Sequence, residues 1–169
     1  MGGRKGGHAR DDPQRPLREH LAALLRGGGA HLSFDEAVAD LPPPLRGARP
    51  LGLPHTPWRL LEHMRLAQQD ILEFTRSADW ESPPWPEGYW PRGDGPPDDR
   101  AWRRSIEQFE ADLEAMVALV RDAGTDLFAP LPWGTGQTPL REALLIADHN
   151  SYHLGQLVTV RRLLGAWHD

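Results

Sequence analysis

Two histidines, His149 and His153, stand four residues apart in the run Asp148-His149-Asn150-Ser151-Tyr152-His153-Leu154-Gly155-Gln156. In a helix that spacing sends both imidazoles from the same face, one turn apart, close enough to share one metal ion. A third, His63, falls on a similar stretch far upstream, beside its apolar stripe and away from the charged face of Glu62, Arg65 and Gln69. Three imidazoles meeting among apolar side chains fill space poorly, because each ring carries two nitrogens that need partners. A divalent ion resolves this: it takes one nitrogen from each ring and leaves the other to donate to a neighbouring group. With no fourth protein ligand, coordination positions stay open, as they do in catalytic metal sites. Imidazole suits Zn, Ni, Fe or Cu, and the residues do not choose among them. The alternative is a pair of buried histidines satisfied by carbonyls or by Asp148, with no metal.

The zincin motif is excluded, because its first histidine is followed directly by a glutamate base and here Asn150 stands in that place. Groups that could support the ligands or reach a pocket are Asp70, Tyr152 and Gln156. For Asp70 a surface pairing with arginine is an equal alternative, and Asp148 is expected at the solvent. Trp80, Trp85, Tyr89 and Trp90 could roof a cleft or simply fill the open end of the fold. His8, His20, His31, His55 and His168 fall in or near tails, caps and loops and read as surface residues.

Four long helices must position these groups. Residues 1–14 are Gly-rich, charged and without periodicity, and are expected to be a disordered tail ahead of a single domain over 15–169. From Pro16, the positions Leu17, Leu21, Leu24 and Leu25 keep a helical rhythm that Gly27-Gly28-Gly29 stops. Ser33 and Glu36 form a capping box for a short extra helix. Thr56-Pro57 opens the second long helix, with Leu60, Met64, Ala67, Ile71 and Phe74 on one side, and residues 77–97 form a long Trp/Pro-rich loop expected to pack down. Asp98-Asp99 starts the third, with the stripe Trp102, Ile106, Phe109, Leu113, Met116, Val117 and Val120. Thr138-Pro139 opens the last, with Leu145, His149, Tyr152, His153, Gln156, Val160 and Leu163 on one broad face. Gly155 weakens this helix by about 1 kcal/mol relative to Ala, which points to a packing reason, and Ser151, Gly155 and Thr159 form a small-residue strip for a close neighbour. No stretch alternates as a strand does, so the fold class is all-α, a helical bundle.

Composition narrows the function. Net charge is -5 without a concentrated basic stripe, which argues against a nucleic-acid surface. There is no cysteine, so thiol chemistry has to arrive with a substrate. No apolar run is long enough to span a membrane, no secretory-type apolar segment follows Met1, and a cytoplasmic location is the expectation.

The run Leu144 to Leu157 resembles the signature helix of the DinB-like (DinB/YfiT) superfamily, and Thr56-Pro57-Trp58-Arg59-Leu60-Leu61-Glu62-His63 resembles its upstream ligand-bearing helix. The likeness extends from about residue 15 over nearly the whole chain. It implies a four-helix up-down-down-up bundle, often a homodimer, with a divalent transition metal (Zn, Ni or Fe) on His63, His149 and His153. Relatives include transferases using low-molecular-weight thiols such as bacillithiol or mycothiol, and a mycothiol-dependent maleylpyruvate isomerase. The resemblance therefore implies a metalloenzyme acting on a small-molecule substrate, a thiol-dependent S-transferase, in which the metal lowers the pKa of a thiol cosubstrate. Two further readings stay open: a non-catalytic metal-binding, stress-associated dimer, and a metal-dependent hydrolase.

Overall fold

Hydroxyl and carboxylate caps set where the helices begin. Thr56 Oγ1 accepts the backbone N–H of Arg59 at 3.2 Å, Thr138 Oγ1 accepts that of Arg141 at 3.2 Å, and Asp98 Oδ1 accepts that of Ala101 at 2.6 Å. Ser33 and Glu36 close the expected capping box. The computed structural model describes residues 12–167. Its helices are α1 (Arg15–Arg26), α2 (Phe34–Val38), α3 (Pro57–Arg76), α4 (Asp99–Arg121) and α5 (Pro139–Leu163), with two single 3-10 turns and no strand among the described residues. No helix among them is long and apolar enough to cross a membrane. Of the tail expected over residues 1–14, residues 1–11 lie outside the described residues, as do His8 and His168. Asp12 and Gln14 are tied to α1, with Arg18 Nε donating to Asp12 Oδ2 at 2.8 Å.

Side-chain pairs give the helix directions. Trp58 faces Trp102 and Gln68 Nε2 reaches the Phe109 carbonyl at 2.7 Å, so α3 and α4 run parallel. Leu60 shares a cavity wall with Val160 while Gln68 bonds Asn150, so α5 runs against α3. Arg18 meets the Val120 carbonyl while Arg26 pairs with Glu114, so α1 runs against α4. The order is up, down, down, up, with a core of Leu60, Leu61, Met64, Leu72, Phe109, Met116, Ile146 and Leu157.

Two stripes read from the sequence are turned in the fold. Leu17 and Leu24 are exposed, and α1 instead buries Arg18 with Leu21, Ala22 and Leu25. The Arg18 guanidinium is satisfied there by the carbonyls of Val120 and Thr125, at 2.9 and 2.8 Å, which closes the end of α4. In α5, Tyr152 and Leu163 face out, and Ala143, Ile146, Ala147, Asn150, Leu154 and Leu157 face in, because this helix packs against α3, α1 and α2 over a wide arc. Among the described residues, a Cβ at Gly155 would meet nothing within 4 Å beyond its own helix. Gly155→Ala is therefore expected to raise stability by about 0.5–1 kcal/mol, read as a higher urea midpoint. A lowered midpoint would mean that a second chain uses the gap.

Candidate metal centre

The early turns of α3 carry His63 inward between Leu60 and Met64, and the middle of α5 brings His149 and His153 to meet it. His63 Nε2 lies 3.1 Å from His149 Nε2. The ring centroids are 4.9 Å apart for His63 and His149, 4.5 Å for His63 and His153, and 4.5 Å for His149 and His153. One ligand atom from each ring lies within 4.8 Å of the others. His63 and His153 are buried and His149 is half-buried.

The far sides of the rings decide which nitrogens face inward. His63 Nδ1 lies 2.9 Å from the Tyr89 carbonyl oxygen, which can only accept, so Nδ1 carries the proton and Nε2 a lone pair. His153 Nδ1 lies 2.8 Å from Gln156 Oε1 in the same sense. His149 Nδ1 is buried without a hydrogen-bond partner among the described residues. Lone pairs on two Nε2 atoms at 3.1 Å repel unless a proton or a cation lies between them. A tetrahedral ion about 2.05 Å from each nitrogen would hold two of them about 3.3 Å apart. The donor set fits a divalent metal.

Burial sets the charge state. It brings His63 down to about 4, and it brings His149 to about 4 with help from the neighbouring His153 and His63 rings; His153 is lowered by burial too. The rings are thus neutral near pH 7, the form that ligates metal. The unfolded chain takes up protons near 6.5, before the folded one does, so stability of the metal-free protein falls as pH drops from about 6.5 towards about 4. Each ring contributes a slope of up to about 1.4 kcal/mol per pH unit. Urea midpoints at pH 7, 5.5 and 4.5 check this; a flat profile would place the rings in solvent.

The Trp/Pro loop is the scaffold of His63. Trp90 lies flat on the His63 ring at 3.9 Å and 3°, and His55 also stacks on the Trp90 indole, at 4.3 Å and 13°. Arg59 sits 5.5 Å above the same indole. Asp70 touches none of the three histidines; its carboxylate accepts Trp80 Nε1–H at 2.8 Å and the Tyr89 hydroxyl at 2.7 Å. It thereby holds the residue whose carbonyl orients His63. Burial and this carboxylate push the Tyr89 phenol up to about 12. Trp85 is exposed and only leans on Tyr89.

A cavity of about 270 Å³ opens on the far side of Tyr152 and Gln156, the two lining residues that touch His153; none of the three histidines lines it. Leu53, Pro54, Leu60 and Val160 give it apolar walls, and His55, Tyr152, Gln156 and Thr159 its polar atoms; no charged residue lines it. Tyr152 meets His153 edge-on at 4.9 Å and is largely exposed. His55 is corrected here: it is not a free surface residue but half-buried, with Nδ1 buried and unpartnered among the described residues. Its place directly before the Thr56-Pro57 helix start was the available signal. Reasoning from the sequence also missed Gln68 and Asn150, buried amides one helix apart, and treated residues 46–55 as a mere connection although they build a cavity wall. That segment is pinned to the Trp/Pro loop where Gly47 meets Gly95 so closely that a Cβ would lie 2.8 Å from the Gly95 Cα, and where Arg49 pairs with Asp94 at 2.6 Å.

The DinB superfamily profile matches residues 30–157, which include all three histidines of the cluster. The chain belongs to the DinB superfamily. No curated protein and no solved structure matches it.

Proposed function

We propose that this chain is a metal-dependent transferase that activates a low-molecular-weight thiol and joins it to an uncharged, largely apolar electrophile. The observation that carries this reading is the convergence of three neutral imidazoles, one of which, His153, is joined through Gln156 and Tyr152 to a cavity with no charged lining residue. Bound on His63, His149 and His153, a divalent ion would supply the positive charge that lowers the pKa of a thiol. The chain's own residues do the rest. Leu53, Pro54, Leu60 and Val160 desolvate the apolar part of the acceptor. Gln156 holds His153 through Oε1, which leaves its amide N–H groups to donate to an acceptor atom of the ligand. His55, kept neutral by burial, is the ring on the cavity wall able to take the proton that the thiol gives up.

The test uses protein purified without a histidine tag or chelating column, loaded separately with Zn, Ni and Fe. Conjugation of 1-chloro-2,4-dinitrobenzene by a panel of small thiols should be metal-dependent and lost in His149→Ala. A carboxylated analogue of the electrophile should react more slowly, for want of a cation in the cavity. Metal retention without turnover across the panel would contradict the transferase. That outcome would favour a non-catalytic metal binder, a reading supported by the closure of His63 beneath Trp90.

A further inference from the structure

We propose that a buried amide relay, Gln68 and Asn150, fixes which ring nitrogen of His149 faces the metal position. This inference rests on the metal centre described above. The relay starts at a group with no choice. The Phe109 carbonyl in α4 can only accept, so Gln68 of α3 must turn its N–H₂ toward it, at 2.7 Å. Gln68 Oε1 is then left to accept, and Asn150 of α5 donates to it from Nδ2 at 2.8 Å. That fixes Asn150 in turn, with Oδ1 as its remaining acceptor. Both amides are buried, so neither can exchange these partners for bulk water.

The relay ends on two complementary orphans. Asn150 Oδ1 and His149 Nδ1, on consecutive residues, are both buried, and neither has a hydrogen-bond partner among the described residues. An amide oxygen can only accept, so it favours the His149 tautomer that carries its proton on Nδ1. Burial and the neighbouring His153 and His63 rings lower His149, and the adjacent Asn150 side chain acts against them as a hydrogen-bonding group. The consequence lies on the other side of the ring. With the proton on Nδ1, His149 Nε2 offers a lone pair at 3.1 Å from that of His63, and the pair is open to a cation. With the proton on Nε2, His149 would donate to His63 Nε2, and the two ligands would satisfy each other. The relay selects against this self-paired state. Gln68 and Asn150 are positioning residues: two of the rings have an Nδ1 acceptor in place, the Tyr89 carbonyl and Gln156 Oε1, and the relay assigns Asn150 Oδ1 to the third.

Two readouts test this. In the metal-free wild-type protein, ¹⁵N shifts of the His149 ring should report the Nδ1–H tautomer, and in Asn150→Ala a shift toward Nε2–H. Competition with a chelator should show zinc binding weakened about 10–100-fold in Asn150→Ala. Asn150→Asp, which keeps an acceptor toward His149, should restore most of the affinity and the tautomer. A merely structural role would not separate Asp from Ala in this way. An Nε2–H tautomer in the wild type, or a folded Asn150→Ala with unchanged zinc affinity, would overturn the relay. Failure of the wild type to bind zinc would instead overturn the metal centre, and the tautomer of the metal-free protein would still decide the relay. Should Asn150→Ala not fold, Gln68→Leu supplies the same comparison.

Discussion

His63→Ala should abolish stoichiometric metal retention while the bundle stays folded. His63 is the one ligand contributed by α3; the other two share α5, and a pair on one helix holds an ion from one side only. Loss of a direct ligand should cost more than the roughly 10–100-fold that follows loss of a supporting partner. The fold should survive because the core of α3 rests on Leu60, Leu61, Met64 and Leu72, all fully buried. What His63→Ala removes from the fold is one hydrogen bond to the Tyr89 carbonyl and the surface beneath Trp90, with a hydrogen-bond share of roughly 1–3 kcal/mol if the carbonyl is left dry. Elemental analysis beside far-UV circular dichroism checks both halves. A folded variant that keeps its metal would remove His63 from the ligand set.

The second large effect is expected away from the ligands. Asp70→Ala should loosen the Trp/Pro loop and weaken metal binding, although Asp70 touches no histidine. Its carboxylate holds Trp80 and the Tyr89 hydroxyl, and hydrogen bonds to a charged acceptor contribute about 1.5–3 kcal/mol each. Without them the Tyr89 carbonyl is no longer fixed against His63 Nδ1, and affinity should drop roughly 10–100-fold, as for other supporting partners. The phenol gives an independent signal: Tyr89 is held up to about 12 in part by Asp70, and should titrate at lower pH in Asp70→Ala. Ultraviolet titration and a zinc competition assay read the two together. Unchanged affinity beside a lowered phenol pKa would show that the loop does not support His63.

How much of this was legible in the sequence follows from which features are local. The helix starts were, because a hydroxyl or carboxylate at the first turn acts within four residues: Thr56 and Thr138 cap as expected, and Asp98, expected there for its negative charge, also caps with its carboxylate. The histidine cluster was legible because i, i+4 spacing fixes a shared face and His63 lay next to an apolar stripe. Exposure on α1 and α5 was not, since the stripe of a helix with several neighbours does not say which flank is covered; Leu24 came out exposed and Arg18 buried. Asp70 could be placed on α3, but its two partners, 10 and 19 residues later, lie in a loop whose path no periodicity describes. Asn150 was noticed only as the residue that rules out the zincin motif. Its relay to Phe109 crosses three helices, which no spacing along one chain segment reveals.

Metal content of the untagged, unchelated protein, measured by elemental analysis against protein concentration, tests the central claim most directly. One divalent transition-metal ion per chain, lost in His63→Ala and in His149→Ala, is the expected result. A chain that takes up no such ion even when incubated with excess Zn, Ni and Fe would contradict it, and would leave three neutral imidazoles as the packing of a bundle without a metal.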